Sequence, residues 1–253
     1  MFQIMKKLIY IFLLLVITLS TQAQDNRFEN ANRLYSEAKF EEAITAYEDI
    51  LKSGVENKAV YFNLGNAYYK VGNLPKSILN YERAKLLDPD DPDILYNLEL
   101  ANSHTVDKIE KVGQFFLKNW MNTLINKGTS DFWSIISIAA FISLLISISV
   151  FLFTKSSILK RTSFYIGILL LIIVVASFDF AYIQKKSLTD RNQGIVFAPS
   201  VTVKSSPDNS GTEIFVVHEG TKVTILESLG NWNKIQLNDG SQGWLPDVSI
   251  EII

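Results

Sequence analysis

Two apolar runs, 132–153 and 164–183, stand in the middle of a chain of 253 residues, with a single short basic stretch between them. As α-helices they would reach about 33 and 30 Å, close to the thickness of a hydrocarbon core of about 30 Å. A helix in a soluble core keeps a polar face, and neither run has one. The pair predicts a transmembrane hairpin. Its connecting loop, 154–163, carries Lys155, Lys160 and Arg161 and no acid. The positive-inside tendency assigns that loop to the cytoplasm and both flanking regions to the other side.

The amino terminus agrees. Lys6 and Lys7 precede an apolar run, 8–19, too short to span, and Thr21 and Ala23 provide the small side chains that a signal peptidase requires. Residues 1–23 read as a signal peptide cleaved after Ala23, and an uncleaved anchor would export the same residues. Charge is segregated around the hairpin: 104–189 is basic, while 24–103 and 190–253 are acidic. The acidic mature chain argues against a nucleic-acid partner, whereas lysines flanking the spans suit the headgroups of a lipid bilayer. Cysteine is absent, which excludes disulfides, thiol chemistry and a lipid-modified cysteine.

The first exported region repeats with a period of 34 residues. Phe28, Ala31, Leu34, Tyr35, Phe40, Ala43, Ile44, Tyr47 and Ile50 recur as Phe62, Gly65, Tyr68, Tyr69, Leu74, Ser77, Ile78, Tyr81 and Ala84. The second unit, with Tyr61, Gly65, Tyr68, Gly72-Asn73, Tyr81, Ala84 and Pro89, resembles a tetratricopeptide (TPR) repeat. Gly65 and Ala84 let paired helices approach, the tyrosines fill the gaps, and Gly72-Asn73 turns the hairpin. The first unit departs from the pattern at Arg27 and Val55. A third begins at Pro92, has Glu99 at the small-residue position and shows no second helix, so the stretch from Leu95 onward is expected to cap the all-α array 24–103.

The TPR resemblance implies protein binding along a concave side lined by Phe28, Asn32, Tyr35, Phe62, Asn66, Tyr69 and Tyr96. No lysine or arginine sits among them, which argues against a clamp for a carboxyl terminus. The set suits an extended, weakly charged segment, with asparagine on its backbone and tyrosine on its apolar side chains. The alternative is that these aromatics pack within the solenoid. The juxtamembrane segment 104–131 has Val112, Phe116, Trp120 and Leu124 at helical spacing, and lies either on the outer leaflet or against the repeats. Asp179 is the formal charge within the two spans. It either snorkels to the interface, one turn away, or meets a polar group of another membrane protein.

After 190 the pattern alternates, with turn signals throughout. The runs Val201 to Pro207, Phe215 to Val223, Asn231 to Ile235 and Asp239 to Leu245 resemble a bacterial SH3 domain over 194–253 within a module of 190–253. Its small barrel core is expected to include Trp232, Ile235 and Trp244. Such domains adhere to cell wall or to protein, so peptidoglycan is a possible partner. No catalytic constellation is visible: the only histidines are His104 and His218, far apart and without an evident partner, and no metal-ligand spacing or phosphate loop occurs. No cofactor and no enzymatic activity are expected.

Signal, repeats, amphipathic stretch, hairpin and terminal SH3 in this order, with Asp107-Lys108-Ile109-Glu110 and Phe115-Phe116-Leu117-Lys118-Asn119-Trp120, resemble the BatE-like proteins of the Bacteroides aerotolerance (Bat) system. That resemblance implies a membrane scaffold with von Willebrand factor A domain partners and an associated MoxR-type ATPase. The alternative is a cell-wall-binding sensor that uses its SH3 domain.

Overall fold

The computed structural model describes residues 26–108 and 116–253. The signal segment 1–23 and residues 109–115 of the amphipathic stretch lie outside the described residues. Two compact units result, one holding the first five helices and all the strands, the other the three helices that lie between them in sequence.

In the first unit, α1 (26–36), α2 (Phe40–Lys52), α3 (Lys58–Lys70), α4 (Leu74–Leu87) and α5 (Pro92–Ser103) follow the 34-residue period closely. Asn57 caps α3 through Ala59 N–H at 2.8 Å, and Asp91 caps α5 through Asp93 and Ile94 N–H at 3.0 and 3.3 Å. Asp91 also takes Lys58 Nζ at 2.8 Å, so the start of one unit holds the start of the next. Ala31, Ala43, Tyr47, Ile50, Val60, Leu64 and Tyr68 form a core shared by the first hairpin and α3.

The two hairpin turns differ in one instructive position. Gly72 has φ +78°, and Ala38, at the same place in the first unit, has φ 60°. A left-handed backbone costs a residue with a Cβ about 1–2 kcal/mol, and glycine's greater freedom when unfolded offsets roughly half of that gain. Ala38→Gly is therefore expected to stabilise the protein by about 0.5–1 kcal/mol. A urea titration that moves to a lower midpoint would contradict this reading of the turn.

The strands are β1 (Gln193–Val196), β2 (Ser200–Lys204), β3 (Glu213–His218), β4 (Lys222–Leu229), β5 (Trp232–Gln236), β6 (Gln242–Pro246) and β7 (Ile250–Ile252). They form one antiparallel sheet in the order β3-β2-β6-β5-β4-β1-β7. Val196, Val203, Val217, Val223, Ile235, Leu237 and Leu245 make its core. Trp232 and Trp244 do not join it, contrary to the sequence expectation. Side chains alternate across a strand, so Trp232 points away from the face of Ile235, and Trp244 from that of Leu245. Both tryptophans are half-buried on the other face, with Trp232 opposite Pro246 and Trp244 opposite Lys234.

The second unit contains α6 (Phe116–Asn126), α7 (Ser130–Phe153) and α8 (Ser157–Thr189). Hydroxyls of α7 donate to carbonyls of α8, Ser130 to Ala181 at 3.2 Å, Ser137 to Val174 at 3.4 Å and Ser147 to Ser163 at 2.7 Å, which fixes the two as an antiparallel pair. Apolar side chains point outward instead: Ile135 is 67% exposed and Leu152 62%. Both helices are long and apolar enough to cross a membrane. The connection is shorter than 154–163, because helix resumes at Ser157 and takes Lys160 and Arg161 into its first turns. Likewise α8 continues past 183 to Thr189, so the helix outlasts the apolar run and Asp179 lies more than two turns from the helix end. The described part of the amphipathic stretch packs on the hairpin. Gln184 Nε2 and Trp133 Nε1 both donate to the Ile125 carbonyl, at 3.0 and 2.9 Å.

Candidate protein-binding face and the contact between modules

The residues expected to line the groove fall into two equivalent sets. Phe28 packs on Tyr47 with ring centroids 6.2 Å apart, and Phe62 on Tyr81 at 5.9 Å. Tyr96, the third member of that series, is 67% exposed and has no ring partner among the described residues. Tyr35 meets Phe40 edge-on at 5.3 Å, whereas Tyr69 meets His104 at 5.9 Å. Asp179 belongs to the other unit, where it is exposed and has no hydrogen bond or ion pair among the described residues.

Asn32 and Asn66 anchor a polar ladder that repeats with the period. Asn32 Oδ1 accepts from Tyr47 O–H at 2.6 Å and Asn63 Nδ2 at 2.9 Å; Asn66 Oδ1 accepts from Tyr81 O–H at 2.7 Å and Asn97 Nδ2 at 2.9 Å. Each ladder joins both helices of one unit to the first helix of the next. The second-helix tyrosine is buried at 1% and 2% exposure in turn, and burial pushes both phenols up from their ordinary value. With Oδ1 doubly engaged, each carboxamide has a fixed orientation, and its Nδ2 has no partner among the described residues. Two oriented amide donors, one repeat apart and flanked by aromatics, can hold carbonyl oxygens of an extended chain.

Sequence reasoning missed a second constellation. Asp107 Oδ2 accepts from His218 N–H and Thr221 O–H, each at 2.7 Å, and Oδ1 meets His218 Nδ1 at 2.8 Å. His218 therefore has a partner, contrary to expectation. Lys222 Nζ reaches Glu82 Oε2 at 2.7 Å, where the Glu82 side chain is only 8% exposed. Arg83 Nη2 donates to the Ile252 carbonyl at 2.8 Å and lies 3.3 Å from Glu251. A Cβ on Gly220 would stand 2.9 Å from Thr105 Cγ2 and 3.2 Å from Ile78 Cδ1, and Gly220 has φ +81°. The repeats and the β-sheet are thus in direct contact within one unit. Only the glycine turn was visible in the sequence, since a contact across 111 residues leaves no local pattern.

Burial pushes the Asp107 carboxyl up, but hydrogen bonds from His218 N–H, the Thr221 hydroxyl and the His218 ring outweigh it, and the net direction is down from the ordinary 3.8. A carboxyl lowered in the folded state contributes its stability fully above the unfolded value and loses it as pH falls through the folded one. The amide of His218, which donates to Asp107, is therefore expected to lose protection from exchange only below pH 3.8, with Asp107→Asn abolishing that step. An unprotected His218 amide at pH 6 would contradict the contact.

The family model of the bacterial SH3 domain matches residues 199–250, and that of the TPR repeat matches residues 65–102. The chain thus joins a TPR module, of the kind that mediates protein–protein interaction, to a bacterial SH3 domain. No curated protein matches it. Among solved structures it is similar to the TPR2AB-domain:pHSP90-complex of yeast Sti1, at 18% identity and a TM-score of 0.28, over 64% of this chain and 62% of that one.

Proposed function

We propose that this chain is a non-enzymatic scaffold of the bacterial inner membrane whose TPR groove holds an extended, weakly charged segment of a protein partner. On this reading residues 1–23 are a signal peptide, 24–103 the repeats, 104–131 a juxtamembrane segment, 132–153 and 164–183 the cores of two spans, and 190–253 the SH3 domain. Both folded modules face the periplasm, and the short link between the spans faces the cytoplasm. The contact between the modules carries this reading. Asp107 and His218 lie on opposite sides of both apolar helices in sequence, yet meet at 2.8 Å. Modules that touch share one compartment, so the number of crossings between them is even, and α7 and α8 supply two.

The order of modules supports a BatE-like role in a Bat-type complex linked to aerotolerance or envelope stress. Its partners would be von Willebrand factor A domain membrane proteins and, through them, a MoxR-type ATPase. Co-purification from gently solubilised membranes tests the groove. Tyr96→Ala is expected to reduce partner recovery about tenfold, as for an aromatic anchor, without lowering the melting temperature. Recovery equal to wild type would overturn the groove. Asp179→Leu in the same assay reports whether that carboxylate touches a partner span, since a snorkelling aspartate would leave recovery unchanged. A second reading, the cell-wall-binding sensor, draws on Trp232 and Trp244 on the outer strand face. Cosedimentation of the solubilised chain with peptidoglycan, undiminished by Trp232→Ala with Trp244→Ala, would count against it.

A further inference from the structure

Helix α4 is buried on every side. Residues 77–82 and Ala84 are all buried, whereas α2, at the same place in the first unit, buries only Ala43, Tyr47 and Ile50. The counterparts of Ile78 and Glu82 in α2, Ile44 and Glu48, are half-buried. Packing against its own first helix accounts for Ser77 and Tyr81, which meet Gly65 and Asn66. It does not account for Ile78 and Glu82. Those two are met by the SH3 domain, Ile78 at Gly220 and Glu82 at Lys222. Among the described residues of this unit the third repeat contributes α5 alone, and the chain that follows it, 104–108, is not helical.

A stack of repeats exposes apolar surface at its ends unless something covers it. We propose that the SH3 domain is an internal ligand of the repeat array, seated on the end that the second helix of a third repeat would cover. Its docking element is the turn 218–222, and the surface it reads is the outer side of α4 together with Thr105 and Asp107. The complementarity is specific. Asp107 has three donors from the turn, the buried Glu82 has the ammonium of Lys222, and the flat Gly220 admits Ile78 and Thr105. While docked, this face of the SH3 domain is closed to outside partners.

The absence of cysteine allows a direct test in the full chain in detergent. Arg83→Cys with Glu251→Cys places one thiol on each module at a rim contact. A short bismaleimide is expected to join them within one molecule, at a yield independent of dilution. Cross-links that form only between molecules, or none, would overturn the proposal. Hydrogen exchange adds an independent readout. In Asp107→Ala with Lys222→Ala, amides of 77–84 and 218–222 are expected to exchange about tenfold faster, while those of 43–50 and 233–237 keep their rates. Unchanged exchange in 77–84 would also overturn it. If that double variant fails to fold, the cross-link in the otherwise native chain decides.

Discussion

Lys222→Met is expected to cost about 3 kcal/mol of stability, near the lower end of what breaking a buried ion pair costs. Glu82 supplies the reason: its side chain is 8% exposed and that of Lys222 27%, so the substitution leaves a carboxylate in a nearly dry contact with no counter-charge. The protein must then either keep an unpaired charge or part the two modules to hydrate it. Urea unfolding in detergent measures the loss. Lys222→Met combined with Glu82→Leu separates the pair from its packing, because replacing both charges with apolar groups removes the desolvation penalty along with the attraction. The double variant is expected to recover most of the loss. A single variant that unfolds at the wild-type midpoint would show that the pair contributes nothing.

This contact also changes what a truncation experiment can mean. From sequence, the SH3 domain and the repeats read as separable modules, and deleting one looks like a clean test of the other. With Ile78 and Glu82 covered by the turn around Gly220, deletion uncovers α4, so lost partner binding would not distinguish a damaged groove from a missing ligand site. Point changes on exposed groove residues such as Tyr96 avoid the ambiguity.

What was legible in the sequence follows from periodicity. The 34-residue repeat located every helix of the array and the small residue at Gly65, because stacked identical units must present the same side chain to the same neighbour. The long apolar runs located α7 and α8, though not their ends: Ser157 to Arg161 and the residues beyond 183 continue as helix, and composition marks a span rather than a helix boundary. The expectation for Trp232 and Trp244 failed on parity, since residues an odd number apart in an unbroken strand face opposite ways. The ladder through Asn32 and Asn66 was half visible. Its asparagines stood out, but their bonds to Tyr47, Tyr81, Asn63 and Asn97 appear only once three helices are in place. The Asp107 site was invisible, because its two halves are brought together by folding alone.

Gly65→Ala is the second substitution with a large expected effect, and it tests the repeat packing itself. A Cβ there would stand 2.7 Å from two ring atoms of Tyr81 and 3.3 Å from the Ser77 carbonyl. Flexible side chains can yield to such an intrusion, but Tyr81 cannot yield easily. It is 2% exposed, its hydroxyl is held by Asn66 at 2.7 Å, and its ring lies against Phe62. Moving the ring would break the ladder that also fixes the Asn66 carboxamide. The cost is expected to be about 2–3 kcal/mol, within the range for overpacking a filled core and above the small gain that alanine brings to a helix. The first unit already holds alanine at this position, Ala31, fully buried, so the steric demand belongs to the second hairpin rather than to the motif. Tyr81→Leu should relieve the clash while losing the hydroxyl, and Gly65→Ala should cost less in that background than in the native one. Equal costs in the two backgrounds would mean that the alanine methyl is accommodated elsewhere and that Tyr81 is not the wall of this contact.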